Sequence, residues 1–313
     1  WSAAAAVSGK KPYPFEEIET LWKKLLFNQF HDILPGSSMG RVYEEAEQEL
    51  SQVCCEAEQI VSSSIQSMMI REEGLTVWNS LPFERSCMIQ LPEGFGKSYM
   101  ESCVDRNGQQ YRIFHEGKVR RVRVSVPALG TTVLYPCQEP ELPKWEKQPE
   151  QAYVYQAGDR TIMTNGILTA EISSRGEILS FGFAREEGNI ATGPMNHFRM
   201  FKDVPRKFDA WDIDSNYEKQ ETEGLFDIHT EITSEGGARA AVRVKAKVGN
   251  SLICQDIILE AGSDRLDFKT AIDWKELHRL LKVSFPTVIR TENGINEIQF
   301  GYVERPMHRS RAY

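Results

Sequence analysis

Between Pro14 and Ile33 the apolar residues Phe15, Ile18, Trp22, Leu25, Leu26 and Ile33 recur at steps of three and four, with charged residues between them. That spacing predicts an amphipathic helix. Pro12 and Pro14 sit where a helix start tolerates proline, and Leu34-Pro35-Gly36-Ser37-Ser38 ends the helix and offers hydroxyl caps to the next one. From about Met39 to Arg71, Val42, Ala46, Leu50, Val53, Ala57 and Ile60 alternate four- and three-residue steps like a coiled-coil seam. Two antiparallel helices joined by a tight loop are expected, with Cys54-Cys55 bordering the seam and Trp22 a packing residue of the first helix's apolar stripe.

After Gly74 the pattern changes to short runs of β-branched and aromatic residues bounded by Pro, Gly and Asn, beginning with Leu75 to Trp78 and Cys87 to Leu91. These read as strands. Val122, Val124 and Val126 keep period two, and Thr131 to Tyr135 resumes it after a break at Pro127 to Gly130. The proline-rich polar stretch between Gln138 and Gln151 reads as a linker. Further strands are expected at Ile167 to Ile172, Phe226 to Ile232, Ala240 to Val248, Leu252 to Leu259, Leu266 to Trp274, Leu280 to Phe285 and Glu297 to Val303. Many strands without interleaved helices imply an antiparallel sandwich. The predicted fold class is α+β: a helical hairpin over 1–73, a small antiparallel β domain over 74–138, a linker over 139–151 and a β-sandwich over 152–313. Trp78, Trp145 and Trp274 read as packing residues.

Composition narrows the function. The 313 residues carry 45 acidic and 37 basic side chains, a net charge of -8. That is the wrong sign for a protein that neutralises nucleic-acid phosphates or an anionic membrane. The longest uncharged run, Val124 to Gln138, is interrupted by Pro127 and Gly130, so no membrane helix is expected. Six cysteines without metal-knuckle spacing favour a reducing, cytoplasmic setting. The chain starts at Trp1 without an initiator Met, which leads us to expect a piece of a longer protein.

The sharpest local feature is Asn28-Gln29-Phe30-His31-Asp32-Ile33-Leu34-Pro35-Gly36. On the helical wheel His31 lies about 140 degrees from the apolar stripe, so its imidazole points away from the helix's own core. Two readings follow. His31 is a surface residue meeting the negative end of a helix dipole, or it is a ligand donated to a site completed elsewhere. Asp32 projects nearer the buried side, where it would accept hydrogen bonds from backbone donors of the following turn. The second candidate is Phe208-Asp209-Ala210-Trp211-Asp212-Ile213-Asp214. An exposed Trp211 beside Asp212 would stack on a sugar face, whereas a buried Trp with loop-capping aspartates explains the same letters. A calcium loop would need a turn-forming glycine that this run lacks. There is no HExxH, no phosphate-binding glycine loop and no GxSxG elbow.

LWKKLLFNQFHDILPGSS at Leu21 to Ser38 is followed by Arg41-Val42-Tyr43-Glu44-Glu45-Ala46. Together they resemble the helical middle region of glycoside hydrolase family 38, the class II α-mannosidases, most nearly the cytosolic branch. The resemblance continues through VWNSLPFERS (Val77 to Ser86), VPALG (Val126 to Gly130), DVPRKFDAWD (Asp203 to Asp212), HRLLKVSFP (His278 to Pro286) and EIQFGYVERPMH (Glu297 to His308). Where the family usually reads RPTH, this chain has Arg305-Pro306-Met307-His308. The resemblance implies that His31 ligates a divalent metal, usually zinc, and that Asp32 contacts the hydroxyls of a bound mannose. It also implies that the 152–313 region is part of a galactose-mutarotase-like supersandwich. The nucleophile, the acid/base carboxylate and the other metal ligands would lie in an N-terminal catalytic α/β domain outside these residues. The expected partners are that domain and mannose-containing oligosaccharides, with homo-oligomers left open. The expected activity is a retaining α-mannosidase, inactive in this portion alone. The rival reading is a noncatalytic carbohydrate-binding or scaffolding module with a helical dimerisation arm.

Overall fold

The computed structural model describes residues 1–69, 74–137, 151–186 and 188–308. All of the expected linker over 139–151 except Gln151, Trp145 included, lies outside the described residues. The architecture is α+β, with helices first and antiparallel sheets after them. It divides into two units that interleave along the sequence. The first draws on the described residues of Trp1–Ile113, Val122–Pro143 and Asp203–Tyr217, the second on those of Phe114–Arg121, Lys144–Lys202 and Glu218–Tyr313.

Unit 1 opens with α1 (Ser2–Val7), formed by the alanine run and not foreseen from periodicity. Ala5 is fully buried, and Ser2 Oγ meets Ser64 Oγ at 3.1 Å. Helix α2 (Phe15–Phe27) carries Glu16 and Glu17 in its first turn and Lys24 in its last, the arrangement the helix dipole favours. Helix α3 (Gly40–Met68) buries Ala46 and Val53 from the expected seam. The periodicity carries α2 six residues too far at its C-terminal end, to Ile33 instead of Phe27. Helical hydrogen bonding ends at Asn28, but the turns from Phe30 to Gly36 retain three- and four-residue backbone bonds, so apolar spacing persists past the helix. The buried stripe of α2 is centred on Leu21, while Trp22 is 54% exposed. α2 is apolar over more than one face, so the wheel alone does not tell which part α3 covers. Trp22 is therefore a surface residue, and Trp274, at 39%, is exposed as well. Trp78 packs edge-on against Trp1 with ring centroids 5.1 Å apart.

Six strands follow: β1 (Leu75–Trp78), β2 (Arg85–Gln90), β3 (Ser102–Asp105), β4 (Gln110–Glu116), β5 (Val119–Val126) and β6 (Thr131–Pro136). They form one sheet in the order β1-β6-β3-β4-β5-β2. The period-two valines do what alternation requires, since Val122, Val124 and Val126 are all buried, in a core with Leu134, Ile113 and Cys103. The turns of this sheet are tied by Asn79, which is 4% exposed. Its side-chain amide donates to the carbonyls of Phe83 (2.7 Å), Val126 (3.2 Å) and Pro127 (3.0 Å), and its oxygen accepts from the Leu81 N–H (3.1 Å).

Unit 2 holds the remaining strands: β7 (Ala152–Ala157), β8 (Arg160–Thr164), β9 (Leu168–Ile172), β10 (Ile178–Phe183), β11 (His197–Lys202), β12 (Phe226–Ser234), β13 (Gly236–Gly237), β14 (Arg239–Val248), β15 (Ser251–Glu260), β16 (Asp267–Asp273), β17 (Arg279–Ser284), β18 (Asn293–Ile298) and β19 (Gly301–Pro306). A five-stranded sheet, β10-β9-β8-β7-β13, and a four-stranded sheet, β12-β14-β15-β16, share one core. Met163, Leu168, Ala170 and Ile172 come from the first, Val242, Val244, Ile257 and Leu259 from the second. β11 pairs with β17, and β18 with β19. The single strand expected over Glu297 to Val303 is instead a hairpin. Gln299 and Phe300 make its turn, with Phe300 at φ 60, because Gly301 can restart the ladder opposite Ile298. Asn165 and Asn196 repeat the role of Asn79. Asn165 donates to the carbonyls of Glu260 and Ser263 and accepts from the N–H groups of Ile167 and Leu168. Asn196 donates to the Gly176 carbonyl and to Gln255.

Two outcomes follow. Asn79→Ala strands the buried Val126 carbonyl together with the partly buried Phe83 and Pro127 carbonyls and the Leu81 N–H, and unfolding in urea should show a loss of about 1–3 kcal/mol. Cys103 is fully buried, and desolvation first, then the nearby Cys137 and Asp105, push its thiol up to about 12. Alkylation of the native protein at neutral pH, mapped by peptide mass, should modify exposed Cys54 and Cys55 and leave Cys103 untouched.

Candidate functional site

His31 sits in the turns that follow α2 rather than in the helix. Asn28 places it there: this buried residue ends α2, with its amide donating to the Lys24 carbonyl (3.0 Å) and to Glu49 Oε2 on α3 (2.8 Å). With α2 stopped and tied to α3, the chain turns through Phe30 to Gly36 and carries the imidazole outward. The His31 side chain is 67% exposed and meets nothing that buries it. His31 is thus a surface residue, as the first reading had it, but it stands on a turn just beyond the helix terminus. Its ring lies 4.2 Å from that of Phe30 and 6.2 Å from that of Trp211.

Asp32 is held by hydroxyls. Its carbonyl accepts from Ser38 Oγ (2.9 Å) and Tyr43 Oη (3.2 Å), and its Oδ1 accepts from Ser37 Oγ (3.3 Å). Its Oδ2 stands 3.6 Å from His31 Nε2. The expected backbone donors of the following turn do not reach this carboxylate among the described hydrogen bonds. Ser37 and Ser38 also depart from expectation: α3 has no side-chain cap, because both hydroxyls turn back to Asp32. Tyr43 and Ser38 were not singled out from sequence as site residues. The only sequence signal for them was a run of hydroxyl residues beside the His-Asp pair.

The second candidate segment folds with unit 1 and brings Trp211 to His31 across 180 positions of sequence. Trp211 is 54% exposed, which removes the buried-Trp reading. Phe208 and Ala210 adopt positive φ (55 and 71 degrees), and the N–H groups of Trp211 and Asp212 both donate to the Phe208 carbonyl (2.8 and 2.9 Å). This tight turn presents the indole at the surface. Asp212 is exposed, its Oδ1 accepting the N–H of Ile213 (3.0 Å), and Asp214 pairs with Arg206 at 3.4 Å. The structure thus gathers His31, Asp32 and Trp211, with Asp212 next in sequence.

An imidazole and a carboxylate are donor types that zinc accepts, and their 3.6 Å spacing is near the roughly 3.3 Å edge of a tetrahedron with bonds of about 2.0–2.1 Å. Two donors make one edge of a site. Among the described residues no three His, Cys, Asp or Glu side chains gather to complete one. Nor is any helix among them long and apolar enough to cross a membrane.

Known proteins match over the same regions. Residues 1–68 match the family described as alpha mannosidase middle domain, and residues 163–312 match the glycosyl hydrolases family 38 C-terminal domain. Alpha-mannosidase 2C1 of Homo sapiens is 30% identical over 322 residues, covering 100% of this chain and 28% of the human protein. Alpha-mannosidase G of Dictyostelium discoideum is 25% identical, covering 95% of this chain and 30% of its own length. The chain thus spans under a third of the curated relatives it matches. The crystal structure of an alpha-mannosidase from Enterococcus faecalis V583 superposes with a TM-score of 0.69 at 14% identity. It covers 97% of this chain and 42% of that one, a likeness of fold.

Because the imidazole is displayed rather than packed, His31→Ala should change unfolding free energy by no more than about 0.5 kcal/mol, measured by thermal or urea denaturation.

Proposed function

The chain belongs to glycosyl hydrolase family 38 through its middle and C-terminal domains, and on that premise we propose that it is part of a retaining class II α-mannosidase acting on terminal α-linked mannose. The observation that carries this reading is the meeting of His31, Asp32 and Trp211 on one exposed surface of unit 1. In this reading His31 ligates a divalent metal, zinc by the donor chemistry, and Asp32 accepts hydrogen bonds from sugar hydroxyls. Trp211 offers its exposed indole face to the apolar side of a sugar ring, and Asp212 lies beside it for hydroxyl contacts. The metal, when bound, supplies a positive charge that orients sugar hydroxyls.

In a retaining enzyme of this kind one carboxylate attacks the anomeric carbon, and a second acts first as acid and then as base. Neither role falls to a residue of this chain in our reading. Both come from an N-terminal α/β domain that also supplies the remaining metal ligands. The contribution of these 313 residues is then to present His31, to hold Asp32 against the substrate hydroxyls and to wall the site with Trp211. A cytoplasmic location accords with six cysteines that form no disulfide among the described residues.

Two measurements test this. The chain alone should release no phenol from an aryl α-mannoside, and turnover by highly purified chain would refute the division of labour. In the longer enzyme His31→Ala should lower bound zinc, read by elemental analysis, together with kcat, while Trp211→Ala should raise KM with metal content unchanged. Unaltered metal content in the His31 variant would overturn the ligand assignment.

A further inference from the structure

A metal ligand on an exposed turn has a positioning problem. Turns between elements are the more mobile parts of a fold, whereas a site needs its donors held to within about 0.5 Å. The His31 ring gains little from its own contacts, which are stacking distances of 4.2 and 6.2 Å to Phe30 and Trp211. The restraint lies one residue on, in the backbone of Asp32.

Tyr43 stands in the first turn of α3 with its ring half-buried. Its phenol uses both of its hydrogen-bonding capacities on the turn. It accepts the Ser38 N–H at 2.9 Å and donates to the Asp32 carbonyl at 3.2 Å, where Ser38 Oγ donates as well at 2.9 Å. One hydroxyl therefore links the end of the turn, its beginning and a 29-residue helix. Fixing the Asp32–Ile33 peptide sets the direction in which the Asp32 carboxylate leaves the chain and anchors the backbone one residue after His31, and Ser37 Oγ trims that carboxylate further.

We propose that Tyr43 is the positioning residue for the His31–Asp32 pair, its hydroxyl bridge to Ser38 and Asp32 holding the imidazole ready for a divalent cation and the carboxylate beside it ready for sugar hydroxyls. The proposal rests on His31 being a metal ligand, as in the function proposed above.

The test is a zinc titration of this chain followed by NMR of its histidine imidazoles, with exposed His278 as the single-donor reference in the same molecule. In the native chain His31 should respond at about tenfold lower zinc than His278, in line with the low end of what an outer-shell partner contributes. In Tyr43→Phe, which keeps the ring, that advantage should vanish, and amide exchange should quicken at Ile33 to Ser38 while the rest of α3 keeps its protection. Ser38→Ala, which removes the nearest of the three hydroxyls on the Asp32 carbonyl, should lose part of the advantage. A merely structural role for Tyr43 would lower the unfolding midpoint and leave the gap between His31 and His278 intact, which would overturn the proposal. If native His31 shows no advantage over His278, the pair is not held for a cation and the positioning proposal fails, whereas the ligand reading stands or falls on the metal content of the His31 variant in the longer enzyme. An advantage that survives Tyr43→Phe sinks only the positioning role.

Discussion

The fold depends on satisfying backbone polar groups where the chain leaves its regular elements inside the protein, and buried asparagine amides do this at four places among the described residues. An amide side chain donates two hydrogen bonds and accepts two, so it can stand in for a missing stretch of ladder. Asn79 closes the turns of the six-stranded sheet, Asn165 joins the β8–β9 turn to the end of β15, and Asn196 links the entry to β11 with Gln255. Asn28 does the same for a helix end. Asp at these positions would bring a charge and lose the donors; Ala would lose both halves. The sheets could not change direction so tightly without these amides.

The candidate site follows from that constraint. Asn28 stops α2 and ties its last turn to α3, which is why His31 emerges from turns on the surface instead of continuing around a helix. The loop carrying Trp211 turns tightly because Phe208 and Ala210 accept left-handed backbone and a single carbonyl receives two N–H groups. Side chains that would be buried in a longer helix or a flatter loop are therefore displayed together.

Sequence made the frame legible where one face of an element is buried. The valines of β5 alternate into the core, and the α3 seam buries Ala46 and Val53 as heptad spacing implies. It misled where periodicity is not coupled to burial. α2 is apolar over more than one side, so Trp22 was assigned to packing and is on the surface. The turns after Phe27 mimic helical spacing, and a two-residue turn at Gln299-Phe300 left no gap in the strand pattern. The resemblance singled out QFHD and DAWD as separate motifs. That they face each other was invisible in one dimension, since nothing in local composition records a contact between positions 31 and 211. Tyr43 escaped notice for a related reason: a tyrosine in a first helical turn looks like packing until its hydroxyl partners are known.

The route of the chain carries one more consequence. Residues 203–217 fold with unit 1 although unit 2 precedes and follows them, so the polypeptide leaves unit 2 and re-enters it. No single cut along the sequence yields both units intact. Recombination that exchanged domains as cassettes would separate Trp211 from His31, so the two units must be inherited as one block.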